Sequence, residues 1–451
     1  MKNYRPVSNL SFLSKIIEKV ISVRILSHIV ENEIIDKFQS AYKCGHSTET
    51  ALPRVYNDIV VTIGKGNGSF LVLLDLSAAF DTIDHDNLFV ILEKYVGIKG
   101  KALQLITSYF SDRSQQVRID SMMSDLSSIV CGVPQGSVLG PLKFCLYLLP
   151  LGAILKYHDI GYHVYADDTQ LYISFKCNDP TAYLPKLNSC ISDIRVWMIK
   201  NKLKINDSKT EFIVFRSPQV KQDLSCLSVS VGDSVISQSS KVRNLGVIFD
   251  QFLNFDDYIS GVCRSTHFHM RNIGKIRNLL TDDAAAQLIH ALISIRLDYC
   301  NSLLYNLPKS SIARLQRIQN QAARILTRTP RSDHITEIFI SLHWLKIEQR
   351  IIYKMLVFTF QAFILRSAPS YLCDLICKKV GSTNTRAASD NMLLTVPQIS
   401  KCSSNTFFER SFTYGAPIEW NKLNGHVRRI TNLNSFKSEI KTMLFLRYFD
   451  T

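Results

Sequence analysis

The stretch Tyr162-His163-Val164-Tyr165-Ala166-Asp167-Asp168-Thr169-Gln170-Leu171-Tyr172-Ile173 decides how the rest of the chain is read. Two short runs of Tyr and β-branched residues flank a tight turn, which is the pattern of a β-hairpin. The turn carries two adjacent aspartates. Asp-Asp is ordinary turn chemistry, because short carboxylates accept hydrogen bonds from nearby backbone. It is also what a divalent cation needs. Mg²⁺ takes hard oxygen ligands in near-octahedral geometry, and proteins usually give it one or two carboxylates plus substrate phosphates. Other stretches must choose between these readings.

The chain has 451 residues, 46% hydrophobic and 20% charged, so a packed core is expected. That length suggests roughly two to four domains. Apolar runs reach about a dozen residues, short of the roughly 20 that a bilayer span needs. The run Phe144 to Leu155 also contains Pro150 and Gly152. No signal-peptide pattern opens the sequence. The 11 cysteines are scattered without a CxxC pair, and Cys373 and Cys377 have no second pair at zinc spacing. Reduced thiols in an intracellular protein, no zinc and no membrane partner are therefore expected.

The formal charge of +15 is uneven. Residues 1–260 hold 27 Lys/Arg against 26 Asp/Glu, and residues 261–451 hold 26 against 12. A basic part beside a near-neutral one points to a polyanion, nucleic acid before membrane.

Along the chain, Leu13, Ile16, Ile17, Val20, Ile21 and Ile25 fall at helical spacing, with Ser11 or Ser14 as the cap. Arg5, ahead of Pro6, reads as a plain surface arginine. Gln39 to Leu52 is a polar loop entering a helix at Ser47 or Thr48, and Pro53 is awkward for its interior. Phe70-Leu71-Val72-Leu73-Leu74-Asp75 is apolar on both faces and reads as a buried central strand ending in one acid. Asp75 either caps the next helix or ligates a cation. Phe80 is placed at the start of that helix, where core packing explains it as well. Cys131 to Pro141 is a Gly/Pro-punctuated loop in which glycines, Gly136 among them, admit close approach of a ligand. Gln135 between Pro134 and Gly136 is poor core material and good recognition material.

Residues 183–204 predict a helix buried through Leu187, Ile191, Ile194 and Met198, followed by the strand Phe212 to Phe215. Residues 241–249 predict a second hairpin. Beyond about residue 255 the pattern is helical. In Ser310 to Arg328, at about 100° per residue, Arg314, Arg317, Arg324 and Arg328 fall within roughly 80° of one another, opposite the apolar face. No acid lies between 309 and 328. Such a stripe suits phosphate, or is a solvated face. Residues 379–406 read as a linker or loop, and the last 45 residues as a small helical closing unit.

An acid ending a buried strand, a PQG loop and an aspartate pair in a hairpin assemble into one site. Asp75 and Asp167 would hold two Mg²⁺ ions, which clamp the attacking and leaving oxygens of an in-line displacement. Asp168 would support the charge cluster.

These residues also carry a resemblance. Tyr165-Ala166-Asp167-Asp168 resembles the YxDD box of reverse transcriptases, Leu74 to Asp81 their first catalytic motif, and Gly132 to Ser137 their PQG motif. Asn3 to Leu10, Gln39 to Leu52, the Lys209 segment and Leu245-Gly246-Val247 resemble the family's other blocks, in the same order. The nearest likeness is to the enzymes of LINE-type, non-long-terminal-repeat retrotransposons of the Jockey-like group. It implies an α+β right-hand fold. Residues 1–250 would form fingers and an antiparallel palm, N-terminally incomplete. Residues 251–330 would form a helical thumb, and 331–451 a mainly helical C-terminal region.

The resemblance further implies an RNA-directed DNA polymerase working on an RNA template, a DNA primer and dNTPs, with Mg²⁺, or Mn²⁺ in its place. Asp75, Asp167 and Asp168 would be catalytic and metal-binding. Phe80 would exclude a ribose 2′-hydroxyl. Arg5, Gln135 and Gly136 would contact the incoming nucleotide, and Lys209 the leaving pyrophosphate. Leu245, Gly246 and Val247 would form the primer grip, and the arginine stripe would contact duplex backbone. Nuclear or cytoplasmic location follows by analogy.

Several positions depart from the family pattern. The family's upstream lysine and endonuclease are not in the sequence. Lys143 stands at an apolar helix position, Leu148 to Leu151 replaces an Asn-Asp pair, Pro150 is set to break its helix, and Pro53 is set to interrupt another. A catalytically inactive nucleic-acid-binding remnant is the alternative reading. An RNA-dependent RNA polymerase is a third, disfavoured by Ala166 and Phe80.

Overall fold

The unbroken apolar run does form the central strand. In the computed structural model, which describes residues 7–220, 224, 226–379, 392–398 and 405–449, β1 (Gly68–Leu74) is buried along almost its whole length. It runs antiparallel to two neighbours. The sheet order is β6 (Gly161–Tyr165), β7 (Asp168–Phe175), β1, β8 (Glu211–Phe215). Before β6, two small ribbons pair β2 (Ser114–Gln115) with β5 (Ser127–Ser128) and β3 (Arg118–Ile119) with β4 (Met122–Met123). After β8, β9 (Ser228–Val231) pairs with β10 (Ser234–Ser237), and β11 (Lys241–Asn244) with β12 (Val247–Asp250). Both predicted hairpins are therefore present.

Helices α1 (Phe12–Glu31), α2 (Thr48–Gly64), α3 (His85–Lys94), α4 (Gly100–Phe110), α5 (Leu139–Tyr147), α6 (Leu151–Tyr157) and α7 (Leu184–Lys200) surround the sheet. The main core joins α3, α5 and α7 to β1, β6 and β8 through residues such as Leu88, Phe144, Ile191, Phe70 and Phe212. Then come α8 (Asp256–Ile276), α9 (Asp282–Ile289), α10 (Ile295–Asp298), α11 (Lys309–Thr327), α12 (Ile335–Leu342), α13 (Ile347–Phe363) and α14 (Ser370–Cys373). The chain closes with α15 (Asn405–Phe408), α16 (Phe412–Asn421), α17 (Gly425–Arg428) and α18 (Leu433–Phe449). A second core runs from Leu52 and Tyr56 on α2 through Phe249, Ile259, Leu315 and Ile351 to Phe407. One apolar mass thus crosses both boundaries expected near 250 and 330.

Several expectations need correction. The helix after Asp75 starts later than predicted: Asp84 caps α3, accepting from Asn87 N at 3.0 Å. Phe80 lies in the preceding turn, where Ala78 takes a φ of +49°. Pro53 does not interrupt α2, which runs on to Gly64. Most of α2 is buried, and tertiary packing of that extent outweighs one lost ladder bond. Pro150 does separate α5 from α6, as the N-cap of the second. By length and composition alone, Leu139–Tyr157 could cross a membrane, but 67% of it is buried inside the fold.

The apolar side of α1 faces out. Leu13 is 70% exposed and Ile17 59%, while Glu18, Ser22, Ile25 and Ile29 face in. Ile25 and Ile29 on that inward face join the main core, and the Glu18 carboxylate caps a neighbouring helix. It accepts from Val138 N at 2.6 Å and Leu139 N at 3.1 Å, at the start of α5, where unsatisfied amides and the helix dipole favour an anion. Of the residues 379–406 read as a linker, 380–391 and 399–404 lie outside the described residues, as does Arg5.

Candidate active site

Strand register, rather than closeness in sequence, gathers the acids. On one side of β1, Leu74 faces Thr169 of β7, so one step further Asp75 comes opposite Asp168. On the other side the pairing ends at Leu73 and Glu211 of β8, and the residues before β8 fold into a short 3-10 turn, Asp207–Lys209, with Asn206 N donating to Asp75 O at 2.8 Å. Directly opposed residues hold their Cβ atoms about 5 Å apart. From the 3-10 turn, Lys209 Nζ reaches to 3.2 Å from Asp75 Oδ2. That buried oxygen receives no aligned hydrogen bond among the described residues. Asp167 sits in the two-residue turn between the paired Tyr165 and Asp168.

The three carboxylates interact. Partial burial, then the Asp167 and Asp75 charges, push the Asp168 carboxyl up to about 6, with Lys209 opposing. Among the described residues no three His, Cys, Asp or Glu side chains are gathered closely enough to hold a metal ion by themselves. Carboxylate oxygens are the hard donors that a divalent cation such as Mg²⁺ takes, with its remaining oxygens coming from substrate and water. Asp75 Oδ2, which faces the Lys209 ammonium without an aligned hydrogen bond, is one such donor.

A second group lies on the PQG loop. Val133 N donates to Phe80 O at 2.8 Å and Gly132 N to Ile83 O at 2.7 Å. This fastens the loop to the turn after Asp75. A Cβ on Gly132 would come within 2.8 Å of Asp81 O, so the close approach needs glycine. Gln135 Nε2 donates to Asp81 Oδ1 at 2.8 Å. Gly136 takes a φ of +101°. The Phe80 ring stacks on Phe144, centroids 4.7 Å apart, so core packing does describe part of its environment.

The tip of the second hairpin is Leu245-Gly246, with φ of +43° and +88°. It is tied to the aspartate hairpin at a buried point: Asn244 Nδ2 donates to Gln170 Oε1 at 2.8 Å. From behind, Tyr299 OH donates to Leu245 O at 2.6 Å. Val247 is the first residue of β12 and is fully buried.

The arginine stripe of α11 is not unpaired. Arg314 contacts Asp256 Oδ1 at 3.2 Å and Ser260 Oγ at 2.6 Å. Arg324 donates to the carbonyls of Pro330 and Asp333. Arg328 donates to Leu280 O at 3.2 Å and lies 4.0 Å from Asp282. Only Arg317 of the four is exposed without a partner among the described residues. Acids and carbonyls from α8, α9 and the 328–333 turn supply what the helix's own sequence lacks.

Sequence reasoning missed three features. One is Glu18, which helical spacing could have revealed, since Glu18, Ser22, Ile25 and Ile29 share a face. Another is α8, where Arg264, Phe268, Arg271 and Lys275 are exposed and fall within roughly 60° of one another at about 100° per residue. Their cations form no ion pair among the described residues, and no acid occurs between residues 258 and 281. The third is the environment of Lys143, which is 2% exposed. Its Nζ lies 3.4 Å from the Tyr109 ring centroid and 4.1 Å from that of Phe110. Burial holds the amine down at about 7, with Glu18 opposing and Arg113 adding to the shift.

A palm-like antiparallel sheet with carboxylates gathered at one end defines a polymerase of the right-hand class. The chain belongs to the reverse transcriptase (RNA-dependent DNA polymerase) family, whose pattern matches residues 1–249. It is 27% identical over 364 residues to the probable RNA-directed DNA polymerase from transposon BS of Drosophila melanogaster, covering 78% of this chain and 39% of that protein. It is 26% identical over 336 residues to the RNA-directed DNA polymerase from mobile element jockey of Drosophila funebris, covering 73% and 36%. The chain thus spans under two fifths of the length of these relatives. Among solved structures, a telomerase from Candida albicans in complex with a fragment of telomeric RNA aligns with 74% of this chain and 54% of its own. Its identity is 13% and its TM-score 0.36, too loose a likeness to carry an argument. The family generally uses divalent metal ions.

Proposed function

We propose that this chain is the polymerase part of an RNA-directed DNA polymerase of a non-long-terminal-repeat retrotransposon, adding dNTPs to a primer 3′-hydroxyl on an RNA template. The observation that carries the reading is the register that sets Asp75 opposite Asp168, with Asp167 in the adjoining turn, in a chain of this family. Asp75 and Asp167 are the residues that would hold Mg²⁺, with Asp168 beside them. The ion would supply charge neutralisation for the attacking and leaving oxygens.

The protein's own part is positioning and electrostatics. Lys209, within reach of Asp75, is placed to meet the negative charge of a leaving pyrophosphate. Phe80 and Gln135, fastened together by the loop zipper, would bound the nucleotide's sugar, with Arg5 assigned to the nucleotide by resemblance alone. Leu245-Gly246-Val247, tied to Gln170, would hold the primer end. The exposed face of α8, rather than the stripe of α11, would meet the duplex backbone, because its cations are uncommitted.

The test is primer extension on poly(rA)/oligo(dT) with Mg²⁺ and dTTP, run beside the Asp167→Ala/Asp168→Ala variant. Extension by the parent and a loss of at least about a thousandfold in the variant are expected. No extension by a parent that folds and binds primer–template would overturn the enzyme reading and leave the α8 face as the basis of a binding protein. Efficient UTP incorporation in place of dTTP would favour an RNA polymerase.

A further inference from the structure

Tyr371 lies in α14, well beyond residue 249 where the family pattern ends. Its side chain is fully buried. Two polar groups of this residue lead to the two strands of the aspartate hairpin. The Tyr371 hydroxyl lies 2.9 Å from Ser40 Oγ and 3.0 Å from Thr50 Oγ1. Ser40 Oγ in turn lies 2.8 Å from Nε2 of His163, on β6. The Tyr371 carbonyl accepts from Arg54 Nη1 at 3.0 Å. Arg54 Nε donates to Asp58 Oδ2 at 2.9 Å, and the same oxygen accepts from the hydroxyl of Tyr172, on β7, at 2.7 Å.

The backbone reinforces the first arm. Ser40 N donates to Val164 O at 3.0 Å and Val164 N to Phe38 O at 2.9 Å, so residues 38–40 line the outer edge of β6. The Tyr371 ring stands edge-on to His163, centroids 4.9 Å apart, and lies nearly parallel to Phe38. An ion pair between Lys37 and Asp374 closes the same contact. Burial holds His163 down at about 3, so its imidazole is neutral at working pH. A buried tyrosine needs one partner for its hydroxyl; this one is joined to both strands.

We propose that Tyr371 is a positioning residue: the C-terminal region grips both strands of the aspartate hairpin through it and thereby sets where Asp167 and Asp168 stand relative to Asp75. The predicted effect on rate rests on the polymerase reading above. The grip itself does not.

The test uses the full chain and two readouts. Tyr371→Phe removes only the hydroxyl. Amide hydrogen exchange of residues 161–165, on the hydroxyl's arm, should quicken by about tenfold while that of α11 stays unchanged. Extension per bound primer–template should fall by about tenfold with the KM for dTTP within twofold; since only folded protein binds, counting bound primer–template removes loss of folded protein as the cause. Ser40→Ala should reproduce both effects, and the double variant should lose no more than either single one, because the two groups share one chain of contacts. Unchanged exchange in 161–165 in Tyr371→Phe, or additive losses in the double variant, would overturn the proposal. If Tyr371→Phe fails to fold, Ser40→Ala carries the same exchange measurement with the same two outcomes. A parent without extension activity would sink the polymerase reading, and hydrogen exchange would still decide the grip.

Discussion

The aspartate hairpin and helix α11 both show a strong local pattern, yet they end differently. The hairpin's turn is closed by its own neighbours, Tyr165 pairing with Asp168 across two residues. The arginines of α11 meet partners such as Asp256 and Leu280, 58 and 48 positions away. A hairpin's geometry is written into a dozen residues. Whether a charge is free depends on everything that packs against it. A stripe of cations therefore indicates a phosphate site only after its surroundings are known, and it is on that ground that we propose α8 ahead of α11.

The contrast can be broken or sharpened by substitution. The largest expected effect concerns Arg277, which is 5% exposed and donates to Ile325 O at 2.9 Å and Leu326 O at 2.7 Å, closing the end of α11. Arg277→Ala leaves buried carbonyls without donors and should cost about 3 kcal/mol in urea unfolding. A cost under about 1 kcal/mol would mean that water replaces the guanidinium.

Next is the neutralised set Arg264→Gln/Arg271→Gln/Lys275→Gln on α8. Its affinity for primer–template at about 0.1 M salt should fall roughly a hundredfold, and the salt slope should drop by about 3, since each phosphate contact contributes close to one unit. Arg317→Gln, on the exposed side of α11, should stay within about twofold. The reverse ranking, measured by fluorescence anisotropy, would restore α11 as the contact surface.

Lys143→Met should raise stability by about 2 kcal/mol at neutral pH by removing a buried amine without a hydrogen-bond partner. The sign of the pH dependence follows from proton counts. The unfolded lysine keeps its proton up to about 10.4, whereas the folded one releases it at about 7. Between those values the unfolded state binds more protons, so parent stability should climb with pH across that window. Lys143→Met should lose that climb. Parallel curves for the two proteins would place the amine in contact with solvent.

The smallest effect belongs to the hairpin itself. Ala166 takes a φ of +56° at the first turn position, where glycine is preferred. Ala166→Gly should add about 0.5–1 kcal/mol. A loss would show that the alanine methyl, in a residue 6% exposed, packs better than its backbone is strained.

Much of the palm was legible in advance for one reason: period-2 patterning and turn residues act over short range. β7 and the second hairpin follow from it, and β1 from its unbroken apolar run; the pairing that brings Asp75 to Asp168 joins strands about a hundred residues apart and is seen in the structure alone. The burial of α7 was equally visible, because Leu187, Ile191, Ile194 and Met198 mark its inner face. The orientation of α1 was misread from Leu13 and Ile17, although the face shared by Glu18, Ser22, Ile25 and Ile29 was there in the spacing; what the sequence does not show is Glu18 reaching across to α5. The start of α3 was misplaced because the turn holding Phe80 takes its shape from hydrogen bonds to the PQG loop, some fifty residues on. Tyr371 was invisible for the same reason: its partners Ser40 and Thr50 are 331 and 321 positions away.

The central strand has a genetic consequence. Asp75 meets Asp168 only while β1 keeps its count against β7, and the strand is paired along its other side with β8 as well. A loop can gain a codon and bulge outward, and a helix can absorb one by shifting a turn. A single codon gained or lost within residues 68–75 would turn Phe70 and Val72 toward the wrong face and misalign both partners in one event. In a lineage of copies accumulating damage, in-frame indels in this eight-codon window should vanish first from those that still work, long before substitutions erase the hairpin's own letters.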